Sequence, residues 1–529
     1  MTAYFKSVVE NWYPSHPLPN DILLPNSPDD SDTIPSDTES TVTTEFYNRS
    51  PMSRRFAIIG LALSSIISFC FIITGVVILA THGVSGVASL MEVQSSLQPE
   101  MLSLILNALV TLCTESTGFV HSISLRSALA SEGRLYFNTN LRLLTAARGW
   151  RNPNGILFNV TMALLLILSY SSSSLVISYN YSSSQGLTSA AVGLPIFVLG
   201  VALLLQVVIV LLGMRGAEIS TWSCSPFDIT AALIHNKKLT RFNSRCMCCV
   251  SDQGVDPCAV NPSKTQPSAW HAHPSIRKVV LSLWGVVVAC VGWAGIVRYF
   301  RMRFSDHYFT WTFIPWEIPV WYDIPDVNPM GVDLLGWILL FINLAVIQGP
   351  LTMGLHCSEL IANVIRDERQ WRWATEKKGL KTTTNPLMSV FTHPICMILF
   401  AVKPFLHWMF GLAISVFDSA EDGKLYRKAE IDMSEAQIWN LCVALFIFAC
   451  FFTFIVLRRP RGPQPAAYGH LQTLANLIDS PLSPVMWWGH KKDGFVCHAG
   501  TSNHELQAIK MDCIYAGSGA ESLASVSST

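Results

Sequence analysis

Charge is scarce in this chain. Only 14% of its 529 residues are Asp, Glu, Lys or Arg, against about a quarter in an ordinary soluble domain. Half the residues are hydrophobic and the mean hydropathy is +0.37, a composition that excludes the usual soluble class and fits an integral membrane protein. The 36 acidic and 36 basic residues cancel, so no net field invites a nucleic acid. The chain lacks a P-loop, a GxGxxG at a strand–helix junction, a GxSxG and an HExxH, which weighs against a nucleotide-driven pump or a standard hydrolase. No cofactor is expected. No apolar run opens the sequence, so no signal peptide is read; the first starts at Phe56. None of the 14 cysteines falls in the segments assigned below to the outer side, which fits reduced cytosolic thiols rather than a disulfide framework. No internal repeat links the two halves of the sequence.

Long apolar runs are abundant. A bilayer crossing needs about 20 residues, and eight runs qualify: 56–80, 101–122, 155–178, 190–213, 279–300, 334–356, 390–416 and 437–457. The fold class is therefore all-α, a polytopic membrane protein of about eight transmembrane helices spanning 56–457. Lys and Arg set the orientation. Flanks and loops of one side (Arg54 and Arg55, 122–154, 214–278, 357–385 and the cluster after 457) carry 24 of them, whereas 82–100 and 179–189 carry none. Both termini, and the loops 123–154, 214–278 and 357–389, are expected in the cytosol. Arg298, Arg301 and Arg303 run against this bias on the outer side.

Residues 1–55 are rich in Ser, Asp, Thr and Pro and read as a disordered cytosolic tail. The outer stretch "HYFTWTFIPWEIPVWYD" within 301–333 reads as an aromatic anchor at the membrane interface. The tail 458–529 contains Leu471, Leu474, Ala475 and Ile478 at helical spacing, a short helix with one apolar face; the last dozen residues look unstructured.

Polar residues inside the spans are the candidate site. Span seven carries His393, Lys403 and His407 within an arc of about 80°. A lysine there costs about 2.5–3.5 kcal/mol on an insertion scale. Glu115, the one carboxylate well inside another span, is its first candidate partner, and Glu359, one turn from His356, is the second. The competing structural readings are a snorkelling lysine, a break at Pro404 that lets water in, and a pair that holds helices in register. No metal site is expected: "CMCC" at 246–249 with Cys258, His271 and His273, and Cys497 with His498 and His504, both lack paired zinc spacing. Of the sequons Asn48, Asn159 and Asn180, only Asn180 falls in an outer loop, which makes it the expected glycosylation site.

Several stretches together, "ISLRSALASEGRLYFNTNLRLLTAARGWRNPNG", "STWSCSPFDITAALIHN", "SRCM" with "QPSAWHAHPSIRK", "GLHCSELIANVIRDERQWR", "GPQPAAYGHLQTLANLID" and "WWGHKKDGFVCHAGTS", carry a resemblance. The chain resembles, over about residues 56–516, a large family of fungal multi-spanning integral membrane proteins without an assigned activity. The resemblance implies a fungal membrane protein with this span order and transfers no catalytic residues. It also sets 126–151 and 214–250 beside the C-terminal tail as one inner platform.

Three functional classes follow. A scaffold or sensor would work through that platform and cytosolic protein partners. A transporter or channel-like protein would use Glu115, Lys403 and His407. A lipid-modifying enzyme would use His393, His407 or His356 with Glu359. With no repeat in the sequence, and repeats common in transporters, the scaffold or sensor ranks first, and the chain is more a non-enzyme than an enzyme. The small-molecule substrate, if any, is not legible; the bilayer is the one certain partner. The charge bias makes a direct prediction: reporters fused after Thr529 and inside 82–100 will map to opposite sides of the membrane, and Asn180→Gln will abolish any endoglycosidase-sensitive shift. Reporters on the same side would overturn the eight-span reading.

Overall fold

The computed structural model describes residues 50–83, 87–92, 97–182, 186–242, 245–252, 259–304, 311–314, 320–323, 334–382, 393–420, 427–479, 483–494 and 496–516. The tail 1–49 with Asn48, much of the aromatic stretch in 301–333 and the last dozen residues lie outside these.

In chain order the elements are α1 (Pro51–His82), β1 (Val87–Glu92), α2 (Leu97–Ser131), α3 (Ile156–Leu175), β2 (Ile177–Ser182), β3 (Gly186–Val192), α4 (Gly193–Arg215), α5 (Pro226–His235), α6 (Ala269–Ala272), α7 (Pro274–Phe304), β4 (Val320–Asp323), α8 (Leu334–Cys357), α9 (Glu359–Arg372), β5 (Leu380–Lys381), α10 (Pro394–Ala413), β6 (Ile414–Ala420), β7 (Arg427–Met433), α11 (Glu435–Leu457), α12 (Leu471–Leu477), β8 (Val485–Lys492) and β9 (His498–Ser502). Eight helices, α1–α4, α7, α8, α10 and α11, are long and apolar enough to cross a membrane. Exposed Ile, Leu, Val and Phe cover their outward faces, as lipid contact requires. The chain is a multi-pass integral membrane protein.

The element order repeats. Helix, strand, helix, helix, two strands, helix describes α1–α4 with β1–β3, and describes α7, α8, α10 and α11 with β4, β6 and β7. In each half the first helix packs on the fourth; between halves, the second helix of each packs on the third of the other, α2 on α10 and α8 on α3. The strands gather at one end as a six-stranded sheet in the order β1-β3-β2-β6-β7-β4. Within each half the pairing is antiparallel, and β2 meets β6 in parallel at Tyr179 and Phe417. The sheet is thus also two equivalent three-stranded pieces joined at a two-fold-like seam. The sequence hides this repeat because spans of interchangeable Leu, Ile, Val and Phe keep their fold after residue identity has drifted. The loops 82–100, 179–189, 301–333 and 417–436 carry these strands, which no alternation announced. Asn180 lies in β2, opposite Thr188 of β3.

Each half has its own apolar core. Without a hydrophobic drive between helices in lipid, small residues set close packing: a Cβ on Gly200 of α4 would lie 2.8 Å from Ile72 and from Ser68 O of α1. Two of the three arginines that oppose the charge bias share one carboxylate. Arg298 and Arg301 reach Glu435, at the start of α11, at 2.8 and 3.5 Å.

At the end away from the sheet, described residues of 216–273, 358–382 and 458–516 fold together around Phe227, Trp371, Leu474, Trp488 and Tyr515, and Leu135 of the 132–155 loop joins Leu471 in a neighbouring cluster. Helix α9 is the spine: Trp371 Nε1 donates to Pro465 O at 2.8 Å, and Glu368 Oε2 accepts from Ala467 N and Tyr468 N, both at 2.9 Å. Phe137 sits between two imidazoles, His273 at 4.1 Å and His470 at 4.7 Å. Both histidines begin helices, and each Nδ1 accepts a backbone N–H: from Ser275 at 3.2 Å and from Thr473 at 3.1 Å. Burial pushes His273 down to about 3, and burial with the neighbouring His273 pushes His470 down to about 3.

These shifts fix a pH dependence. The unfolded chain takes up protons near pH 6.5 whereas the folded chain resists until about pH 3, so stability is full above about 6.5 and falls as pH drops, by about 1.4 kcal/mol per pH unit per histidine at most. Thermal unfolding at pH 5 should therefore start lower than at pH 7. His470→Asn, which keeps a capping acceptor without titrating, should flatten the slope; an unchanged slope would remove His470 from this role.

Candidate functional site

Lys403 is 1% exposed. Its Nζ donates to Glu115 Oε1 at 2.5 Å and also to Glu359 Oε1. It does not snorkel, and α10 runs unbroken through Pro404. Glu115 comes from α2, whose sequence "TLCTESTGF" is rich in hydroxyls. Thr111, Thr114 and Thr117 fold these back onto the carbonyls of Asn107, Thr111 and Cys113 at 2.8–3.1 Å, so the helix tolerates them in an apolar layer.

Glu359 opens α9, one residue after α8 ends, and Ser358 alone separates the two helices. This junction turns His356 and Glu359 to the same point, with Nδ1 and Oε1 3.1 Å apart. Arg142 completes the cluster, reaching Glu359 Oε1 at 3.2 Å and His356 Nδ1 at 3.4 Å. It arrives over Gly118: a Cβ there would lie 1.7 Å from Arg142 Nη1. Two cations, Lys403 and Arg142, face two carboxylates, Glu115 and Glu359. Glu115, His356 and Glu359 have ligand atoms within 4.8 Å of one another, a set that suits a divalent cation, but the Lys403 ammonium bridges both carboxylates at that point.

Above Lys403 the polar seam continues along the junction of the two halves. His407 stacks on Tyr170 at 3.6 Å and 10°, and Gln348 Nε2 donates to His407 Nδ1 at 3.2 Å. The Tyr170 hydroxyl meets Thr111 and Thr114 at 3.0 and 3.3 Å. His393 stands apart. It precedes α10, about 15 Å along the axis from Lys403 at 1.5 Å per residue.

Below Lys403 lies a cavity of about 480 Å³. Its floor carries Arg126, Arg142, Asn138 and Arg366, and its rim carries Leu112, Met397 and Phe400, which are 46, 45 and 41% exposed on the apolar surface. Arg126 donates to Asn138 Oδ1 at 2.6 Å and Ser223 O at 3.3 Å. Asn138 Nδ2 donates to Asp367 Oδ2 at 2.7 Å, and Arg366 holds Asp367 Oδ1 at 3.1 Å. Asn138 N donates to Gly469 O at 2.9 Å, which ties the cavity floor to the C-terminal tail.

The residues that sequence reasoning missed are Arg142, Arg126, Asn138 and Tyr170. Arg126 and Arg142 were visible only as loop cations. Gly118, one turn after Glu115, was the available signal that a side chain passes there. Compared with protein families, curated proteins and solved structures, the chain finds no match.

The charge balance predicts a double-mutant result. Lys403→Met strands two carboxylates against Arg142, and Glu115→Gln leaves two cations against one carboxylate. Each should cost about 3–5 kcal/mol, seen as lost folded yield in detergent. The double mutant retains Arg142 with Glu359 and should recover most of the yield. Additive losses would disprove the pairing.

Proposed function

We propose that this protein is a membrane carrier for an anionic amphiphile, taken up between α2 and α10. One observation carries the reading: the cavity is apolar at its lipid-facing rim and cationic at its floor. Among the charged lining residues, Lys403 and Arg142 balance Glu115 and Glu359, and Arg366 has Asp367. Arg126 bonds to neutral acceptors, so the floor holds one surplus positive charge, suited to a phosphate or carboxylate head with its chain leaving past Phe400. The repeated halves support transport, since carriers are often built from such repeats with the site between them. With a repeat in the fold, the ground for ranking a scaffold above a transporter lapses. The Lys and Arg excess at the platform end supports a cytosolic mouth.

The link from Arg126 through Asn138 to the tail supports a second reading, a sensor whose occupancy is read at the platform. Lysophosphatidate, a single-chain anionic probe, separates the two. It should raise the melting temperature of the detergent-solubilised protein by several degrees, whereas neutral monoacylglycerol should not, and Arg126→Gln should reduce the shift. Uptake of radiolabelled lysophosphatidate into reconstituted vesicles would favour the carrier; binding without uptake would favour the sensor. No binding of lysophosphatidate or oleate would defeat both.

A further inference from the structure

The C-terminal tail carries a second constellation, remote from the cavity. Strand β8 ends near His490, the β8–β9 turn holds Asp493, Cys497 precedes β9, and Cys513 lies in the last described segment. The backbone draws these together: His490 N donates to Gln507 O at 2.9 Å, Cys497 N to Ile514 O at 2.8 Å, and Ala516 N to Cys497 O at 3.3 Å. His490 Nε2 lies 3.1 Å from Asp493 Oδ1, and Cys497 Sγ lies 3.9 Å from that oxygen. The atoms of all three are within 4.8 Å of one another, and the Cys513 thiol, outside that set, faces that of Cys497.

We propose that His490, Asp493, Cys497 and Cys513 form a structural zinc site that staples the end of the tail to the β8–β9 hairpin. A tetrahedral zinc holds N, O and S at about 2.0–2.3 Å, so its ligand atoms stand roughly 3.3–3.8 Å apart, close to the 3.1 and 3.9 Å from Asp493 Oδ1 to His490 Nε2 and Cys497 Sγ; Cys513 would close in from beside Cys497 as the fourth ligand. The imidazole is the second, independent pointer. His490 is 6% exposed; its Nε2 faces the cluster, and the 3.1 Å approach of Asp493 Oδ1 lacks hydrogen-bond alignment. The other nitrogen is held by Tyr515, with Nδ1 2.8 Å from the phenol oxygen, which also accepts from Lys510 N at 3.1 Å. With Nδ1–H donated to that oxygen, Nε2 keeps its lone pair for a metal. Histidine ligands are commonly oriented through their second nitrogen in this way. Lys510 Nζ holds Asp493 Oδ1 at 2.6 Å; on metal binding it would pass to the carboxylate's other oxygen.

Zinc displaces both thiol protons and leaves the sulfurs as thiolates, which requires a reducing compartment. The alternative for two touching thiols in an oxidising one is a disulfide. Full-length protein purified without a polyhistidine tag should carry one zinc per chain by elemental analysis. Chelation should release it, expose two more titratable thiols and lower the melting temperature. Cobalt exchanged into the wild-type protein should give the visible spectrum of a tetrahedral thiolate complex, a readout that needs no variant to fold. Cys497→Ser should lose the metal while Cys396→Ser keeps it, and Tyr515→Phe should weaken zinc binding about 10–100-fold. Zinc retained in Cys497→Ser, metal-free protein with two free thiols, or a Cys497–Cys513 disulfide would each overturn the site.

Discussion

A lysine ammonium sealed in the low-dielectric interior is the constraint around which the bundle is arranged. Desolvating such an ion costs several kcal/mol even after relaxation, and attraction to partners offsets this only where geometry is good. Lys403 reaches two carboxylates from two different elements, and that excess of negative charge in turn demands Arg142. Four structural features follow. Helix α2 must approach α10, the α8–α9 junction must turn Glu359 inward, the 132–155 loop must fold back under the bundle, and Gly118 must lack a side chain. None of these is local to Lys403, so one buried charge fixes the relative positions of elements from both halves.

The cluster sits where the two halves meet, which makes the departure from symmetry informative. The third helices are equivalent by position, yet α10 offers Lys403 and His407 while α3 offers Tyr170 and a run of buried serines. Tyr170 and His407 stack across the seam, like partners in a repeat that have diverged into a neutral half and a charged half. A further asymmetry appears at the platform, where α9, about 21 Å long, continues the second half beyond a break at Ser358, whereas α2 of the first half runs on unbroken to Ser131. Its first turn carries Glu359 into the cluster and its last carries Glu368 and Trp371 into the tail core.

The spans were legible because about 20 apolar residues in succession have few other uses. Glu115 and Glu359 were legible as partners of Lys403 because intramembrane carboxylates are rare enough to be weighed one by one. His393 was grouped with Lys403 by angle alone, and angle says nothing of height: ten residues of helix separate them. Arg142 was hidden among loop arginines, since charge counting treats every loop cation alike. The strands of the six-stranded sheet escaped because their pairing is set by which helices bring their ends together, a fact of tertiary structure. The tail cluster escaped because Cys513 is 16 residues from Cys497, and only backbone pairing of 513–516 with the start of β9 makes them neighbours.

In the proposed carrier, these constraints also identify the mobile contact. A ligand shifts a conformational equilibrium only through contacts that differ between the two states. Lys403 and Arg142 are nearly enclosed, whereas Glu115 has a quarter of its side chain exposed to the cavity. An anionic head rising from Arg126 would meet Glu115 first and compete with it for Lys403. Releasing Glu115 loosens α2 from α10, one of the helix contacts between the halves, while Glu359 and Arg142 keep the second half and the platform joined. Exchange of one carboxylate for the ligand's own anion would thus open the seam without leaving the lysine uncompensated, which is the condition any movement at this site has to meet.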